Sequence, residues 1–168
     1  MECSGQQLEP RAFLLESVEG GVNWARYSFI GTDPFMIVRG KGERIEIETP
    51  EEKQVLDAPP VETVQNILSK YSSPSLPDFP RFTGGAVGFF GYDLQQYYGN
   101  LPPHLHDDLQ MNDIHFMFCD QVIVFDHVKQ QIKIIANVHI PDGASELEVE
   151  QAYRDTCRKM RETEGKLR

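Results

Sequence analysis

The sequence has few cysteines, no long apolar run and no basic face. Its three cysteines, Cys3, Cys119 and Cys157, are odd in number and far apart, and none belongs to a C-x-x-C pair. That spacing excludes a disulfide framework and a zinc ribbon, and it fits a reducing, cytoplasmic setting. No stretch approaches the roughly 20 apolar residues that span a bilayer. The polar segment 1–10 lacks the apolar centre of a secretory leader and reads as a flexible N-terminal tail. Only 16 basic side chains stand against 26 acidic ones, a net charge of −10. Such a surface repels phosphate backbones and anionic lipid, so neither nucleic acid nor membrane is an expected partner. Two phosphate-binding signatures are also missing. No Gly-Lys-Ser/Thr triplet follows the glycines, and no G-x-G-x-x-G opens a helix. No Ser-His-Asp or Cys-His order stands out as nucleophilic machinery.

What is present suits one domain. The chain has 168 residues, 40% of them apolar and 25% charged, which is enough for a packed core. The first half reads as strands: Phe13 to Leu15, Trp24 to Ile30, Phe35 to Val38, and Arg44 to Glu48, where isoleucine alternates with charge. Thr49 to Pro60 is polar and bounded by proline, and reads as a loop. Pro60 can open a helix, because its missing N–H is not needed at the first position. Val61, Val64, Ile67, Leu68 and Tyr71 then recur at helical spacing. Gly84 to Gly91 reads as a buried, glycine-rich strand, and Tyr92 to Tyr98 as one or two helical turns. Ile114 to Phe125 and Ile132 to Ile140 are β-forming runs joined by a hairpin connection over 126–130. Ser145 and Glu148 form an S-x-x-E capping box ahead of a last helix, with acids at its start and bases toward its end. The expected fold is α+β, a mainly antiparallel sheet with a few flanking helices.

Several constellations could carry chemistry. Glu16 and Ser17 end an apolar strand beside Gly20-Gly21. A carboxylate and a hydroxyl there suit an ammonium group, or simply a solvated strand end. Neighbours on a regular strand face opposite ways, so both serve one ligand only if the strand bends. Arg26 and Ser28 should share one face of the next strand, with Tyr27 and Phe29 on the other. Arg26 there either pairs with a carboxylate or phosphate, or caps a surface. The glycines of 84–91 read as points of close backbone approach. His104 and His106 with Asp107 and Asp108 offer metal donors, but in a proline-rich loop without a distant partner. Cys119 reads as a small core residue.

Three segments together carry a family resemblance. They are Phe13-Leu14-Leu15-Glu16-Ser17, Trp24-Ala25-Arg26-Tyr27-Ser28-Phe29-Ile30-Gly31, and Phe82-Thr83-Gly84-Gly85-Ala86-Val87-Gly88-Phe89-Phe90-Gly91-Tyr92-Asp93. In this order they resemble the N-terminal domain of anthranilate synthase component I. Component I of aminodeoxychorismate synthase shares the pattern less closely. Ala25 stands where the family often has glycine. The resemblance implies that 11–168 is the N-terminal part of the chorismate-utilising fold, with the C-terminal chorismate-binding domain absent. It implies an enzyme, a lyase that converts chorismate and ammonia or glutamine into anthranilate and pyruvate in tryptophan biosynthesis. Mg²⁺ would serve the complete enzyme, with no cofactor, metal or catalytic residue in this part, which would be inactive alone. The implied partners are the chain's own C-terminal domain, a glutamine amidotransferase subunit (component II) and L-tryptophan, the feedback inhibitor. The tryptophan site would include Leu15, Glu16 and Ser17, with Leu14 in the same motif, and Arg26, Tyr27 and Ser28 on the neighbouring strand. A free-standing small-molecule sensor remains the reading from outside the enzyme class.

Overall fold

The computed structural model describes residues 11–16, 26–99, 107 and 109–167. Two antiparallel sheets and three helices organise them. In chain order the elements are β1 (Ala12–Leu15), β2 (Tyr27–Thr32), β3 (Met36–Lys41), β4 (Arg44–Glu48), β5 (Lys53–Asp57), α1 (Pro60–Leu68), β6 (Gly85–Phe90), a 3₁₀ turn (Tyr92–Leu94), α2 (Gln95–Tyr98), β7 (Ile114–Cys119), β8 (Gln121–Asp126), β9 (Gln131–Ala136) and α3 (Glu146–Lys166). One sheet runs β5-β4-β3-β7-β6 and the other β1-β2-β8-β9. The α+β, antiparallel architecture expected from the sequence is therefore the observed one.

The five-stranded sheet holds the larger core. Val38 and Ile45 are fully enclosed, and Phe116 and Phe118 of β7 lie beside them. Helix α1 lays Val64 and Ile67 onto the same face. It starts at Pro60, where a missing N–H leaves nothing unpaired, as the sequence indicates. Only Val64 and Ile67 of its apolar stripe are buried, whereas Leu68 and Tyr71 are exposed. The opposite face of the sheet is charged: Arg39 bonds Glu46 and Glu48, Lys53 bonds Glu46, and Arg11 bonds Glu48. These contacts hold the carboxyls of Glu46 and Glu48 below their ordinary range, against the opposing pull of burial.

Three readings of the sequence need correction. Residues 53–57 are strand β5 and not loop, because Lys53 to Asp57 pair residue by residue with Glu48 to Arg44. That edge strand needs little apolar content, since most of it is solvated. Ile114 to Phe125 is two strands, interrupted at Asp120, and the two belong to different sheets. Strand β6 is a half-exposed sheet edge and not a buried strand, because among the described residues β7 alone pairs with it. Close approach does govern its glycine at 88: a Cβ there would collide with the His115 carbonyl oxygen.

The four-stranded sheet is filled more thinly. Val122, Val124 and Ile135 are buried, with Phe13, Tyr27, Phe29 and Phe82 packed on them. Phe82 stands edge-on to Phe29 at 5.4 Å and to Phe13 at 6.2 Å. Helix α3 lies along β9, and its capping box is complete: Ser145 Oγ accepts from Glu148 N–H, and the Ser145 N–H donates to Glu148 Oε2. Yet α3 has no buried residue, and its Tyr153 is exposed. A groove of about 550 Å³ opens between β9 and the end of α3, lined by Ile132, Ile134, Cys157, Met160, Arg161, Glu164 and Leu167.

Candidate functional site

The residues singled out from the sequence gather where β1 ends and β2 begins. The two strands are antiparallel, with Leu15 facing Phe29. Continuing that register sets Glu16, which is exposed, level with Ser28. Ser17 lies outside the described residues, as do His104 and His106. Strand alternation divides the set over two faces. Leu15, Tyr27 and Phe29 take the side of the aromatic cluster around Phe82, and Glu16 and Ser28 take the other. The divided faces leave the difficulty noted for Glu16 and Ser17 in place.

Arg26 and Ser28 have partners that the sequence reading passed over. The Arg26 guanidinium grips Asp126 with two bonds, Nε to Oδ1 at 3.1 Å and an Nη to Oδ2 at 2.8 Å. The paired fork geometry makes this the stronger kind of ion pair. Asp126 is 1% exposed and also accepts from the Lys129 N–H at 3.0 Å. The guanidinium, aided by the backbone N–H groups of Lys129 and Val128, holds its carboxyl far below the usual range although burial opposes this. Arg26 is raised by the same bond and lies 4.8 Å over the Tyr27 ring. One residue further on, His127 Nε2 is 2.8 Å from the buried Ser28 Oγ, and the His127 N–H donates to the Arg26 carbonyl at 2.9 Å. Asp126 and His127 thus staple the start of β2 to the end of β8. The sequence offers one cue to them, an arginine in a strand that needs a counter-ion; the hundred-residue separation hides which acid supplies it.

The rest of the described chain offers little reactive chemistry. Cys119 is buried, and burial pushes its thiol up to about 11, so it stays protonated and inert. Among the described residues no group of three or more His, Cys, Asp or Glu side chains is placed to hold a metal ion. No helix among them is long and apolar enough to cross a membrane. The groove beside α3 is lined by other residues than these.

Comparison with known proteins agrees with the motif reading. The chain is 47% identical over 142 residues to anthranilate synthase component 1 of Acetivibrio thermocellus, covering 84% of this chain and 28% of that protein. It is 33% identical over 129 residues to aminodeoxychorismate synthase component 1 of Bacillus subtilis (strain 168), covering 77% of this chain and 27% of that one. The chain therefore spans less than a third of the length of these curated relatives. The crystal structure of anthranilate synthase component I from Streptococcus pneumoniae TIGR4 shares the fold, with a TM-score of 0.60 at 23% identity over 87% of this chain and 32% of that one. Residues 12–166 match the family described as chorismate binding enzyme, and the chain belongs to that family.

Proposed function

We propose that this chain is the N-terminal, regulatory domain of anthranilate synthase component I, and that its β1–β2 junction forms part of the site for L-tryptophan, the feedback inhibitor. The observation that carries the reading is the Leu14-Leu15-Glu16-Ser17 motif at the end of β1, beside Arg26-Tyr27-Ser28, in a chain 47% identical to a component I. Tryptophan presents an ammonium group and an indole. A carboxylate at 16 and a hydroxyl at 17 suit the first, and the apolar neighbours of the motif suit the second. Arg26 contributes by fixing β2, since its guanidinium is engaged by Asp126. Chorismate and Mg²⁺ chemistry belong to a C-terminal domain, and ammonia comes from a separate amidotransferase subunit. The assembly works in the cytoplasm. Inhibition is a population shift: tryptophan binds one arrangement of the two domains better than the other.

Two assays test this. The 168-residue chain with chorismate, Mg²⁺ and ammonia forms no anthranilate; appreciable product overturns the proposal that it is inactive alone. In the intact subunit, Ser17→Ala and Ser17→Leu raise the tryptophan concentration for half-inhibition at least about tenfold, a change of roughly 1.4 kcal/mol. Unchanged inhibition in both variants removes Ser17 from the site. The second reading, aminodeoxychorismate synthase component I, rests on the weaker 33% likeness, and the product of the intact protein separates the two.

A further inference from the structure

The effector motif ends a strand that has little hold of its own. Three of the four residues of β1 are exposed, and Phe13 is the one packed on the small core. At its start, Arg11 ties the strand to the other sheet through Glu48 at 2.7 Å. Toward Glu16 the strand is held by its ladder with β2, its one neighbour in the sheet among the described residues. The place of Glu16 therefore follows the place of β2, which begins at Tyr27.

The start of β2 is in turn fixed from the end of β8. Three contacts do this: Arg26 on Asp126, the His127 N–H on the Arg26 carbonyl, and the His127 ring on Ser28. They differ in kind. The backbone bond survives any side-chain change, and the ion pair holds a residue just ahead of the strand. The His127 ring alone reaches into β2. Its Nε2 lies 2.8 Å from Ser28 Oγ, and Ser28 is 4% exposed and shares a face with Glu16. No enclosed side-chain polar atom among the described residues lacks a partner, and this hydroxyl has His127. Without a partner an enclosed hydroxyl is costly, so the bond specifies where Ser28 sits. His127 itself is exposed and buries little apolar area, so its contribution is geometry rather than core.

We propose that His127 is a positioning residue for inhibition by tryptophan: through Ser28 it holds the start of β2, and with it the end of β1, in the arrangement that the effector binds. This rests on the reading of the β1–β2 junction as part of the tryptophan site. His127 does not touch the effector. It orders the junction in advance, and a junction that must be ordered on binding loses affinity by that cost.

The test measures anthranilate formation by the full-length subunit at rising L-tryptophan. His127→Ala raises the concentration for half-inhibition about three- to tenfold, the scale of one hydrogen bond. His127→Gln, whose amide nitrogen can stand where Nε2 stood, recovers most of that loss. Ser28→Ala combined with His127→Ala loses no more than Ser28→Ala alone, because both changes remove the same bond. An exposed side chain is changed without threat to folding, so the His127 variants can be assayed. A smaller effect of His127→Ala, or a glutamine no better than alanine, overturns the proposal. So do additive losses in the double variant, which would mean that the ring meets tryptophan itself. An equal rise in the chorismate KM overturns it too, as general loosening of the subunit. The parent reading is scored separately. If tryptophan does not inhibit the unaltered subunit, the effector site falls and His127 with it. If tryptophan inhibits and Ser17→Leu relieves this while His127→Ala does not, the site stands and only the role of His127 is removed.

Discussion

The five-stranded and four-stranded sheets are built from similar strands but filled differently. In the first, nine buried side chains from three strands, α1 and the turn before α2 close one continuous cluster. In the second, three buried residues of β8 and β9 suffice, and the helix laid against it buries none of its own. Buried apolar area is the main favourable contribution to folding, so the five-stranded half dominates stability. The four-stranded half instead holds the charged staple between β2 and β8, at the junction proposed above for the effector. A thinly packed region whose geometry depends on a few polar contacts opens at lower free energy, which is where regulatory movement is expected.

The contrast can be broken first at its strongest point. Phe118→Ala in the larger core lowers stability by about 3–5 kcal/mol, while Val124→Ala in the smaller one lowers it by about 2 kcal/mol. Urea unfolding of the two variants measures both, and equal losses would show that the sheets share the load. The staple gives a pH-dependent version of the same test. The Asp126 carboxyl is held below its ordinary value, which for an aspartate is roughly 3.9. The stability it contributes is complete above that pH and fades as pH falls through the depressed native value. Asp126→Asn is therefore less stable than the parent at pH 7, and the gap narrows below roughly pH 4. A gap of the same size at pH 7 and pH 3 would assign its effect to packing rather than charge. The smallest effect belongs to α3. Ser145→Ala removes one half of the capping box and weakens the helix start by about 1 kcal/mol. Because α3 buries so little, this registers as faster amide exchange in its first turn, with the unfolding midpoint nearly fixed. A shift of the midpoint as large as that of Val124→Ala would mean that α3 carries more of the fold than its exposure indicates.

Where the sequence was legible, short-range rules were in command. The capping box at Ser145 and Glu148, the proline at the start of α1, and the hairpin over 126–130 are each fixed within a few residues of chain, and each is found. Strand β5 was missed because a solvated edge strand carries no apolar alternation to read. Asp120 was missed as a break because a single residue separates two β-forming runs. The site was legible only in part. Leu15, Glu16 and Arg26-Tyr27-Ser28 stand out by composition and by their resemblance to the family. Asp126 and His127 look like turn residues until the fold brings them to Arg26 and Ser28.

The sequence by itself determined the helix starts, the 126–130 hairpin, the antiparallel α+β class and the family, because caps, turns and motifs are written in neighbouring residues. Only the tertiary structure decided which strands share a sheet, that β6 is an open edge, and that a buried carboxylate a hundred residues away claims Arg26. Those outcomes depend on which surfaces meet when water is expelled, and that choice is made by the packing of the whole chain rather than by any one segment of it.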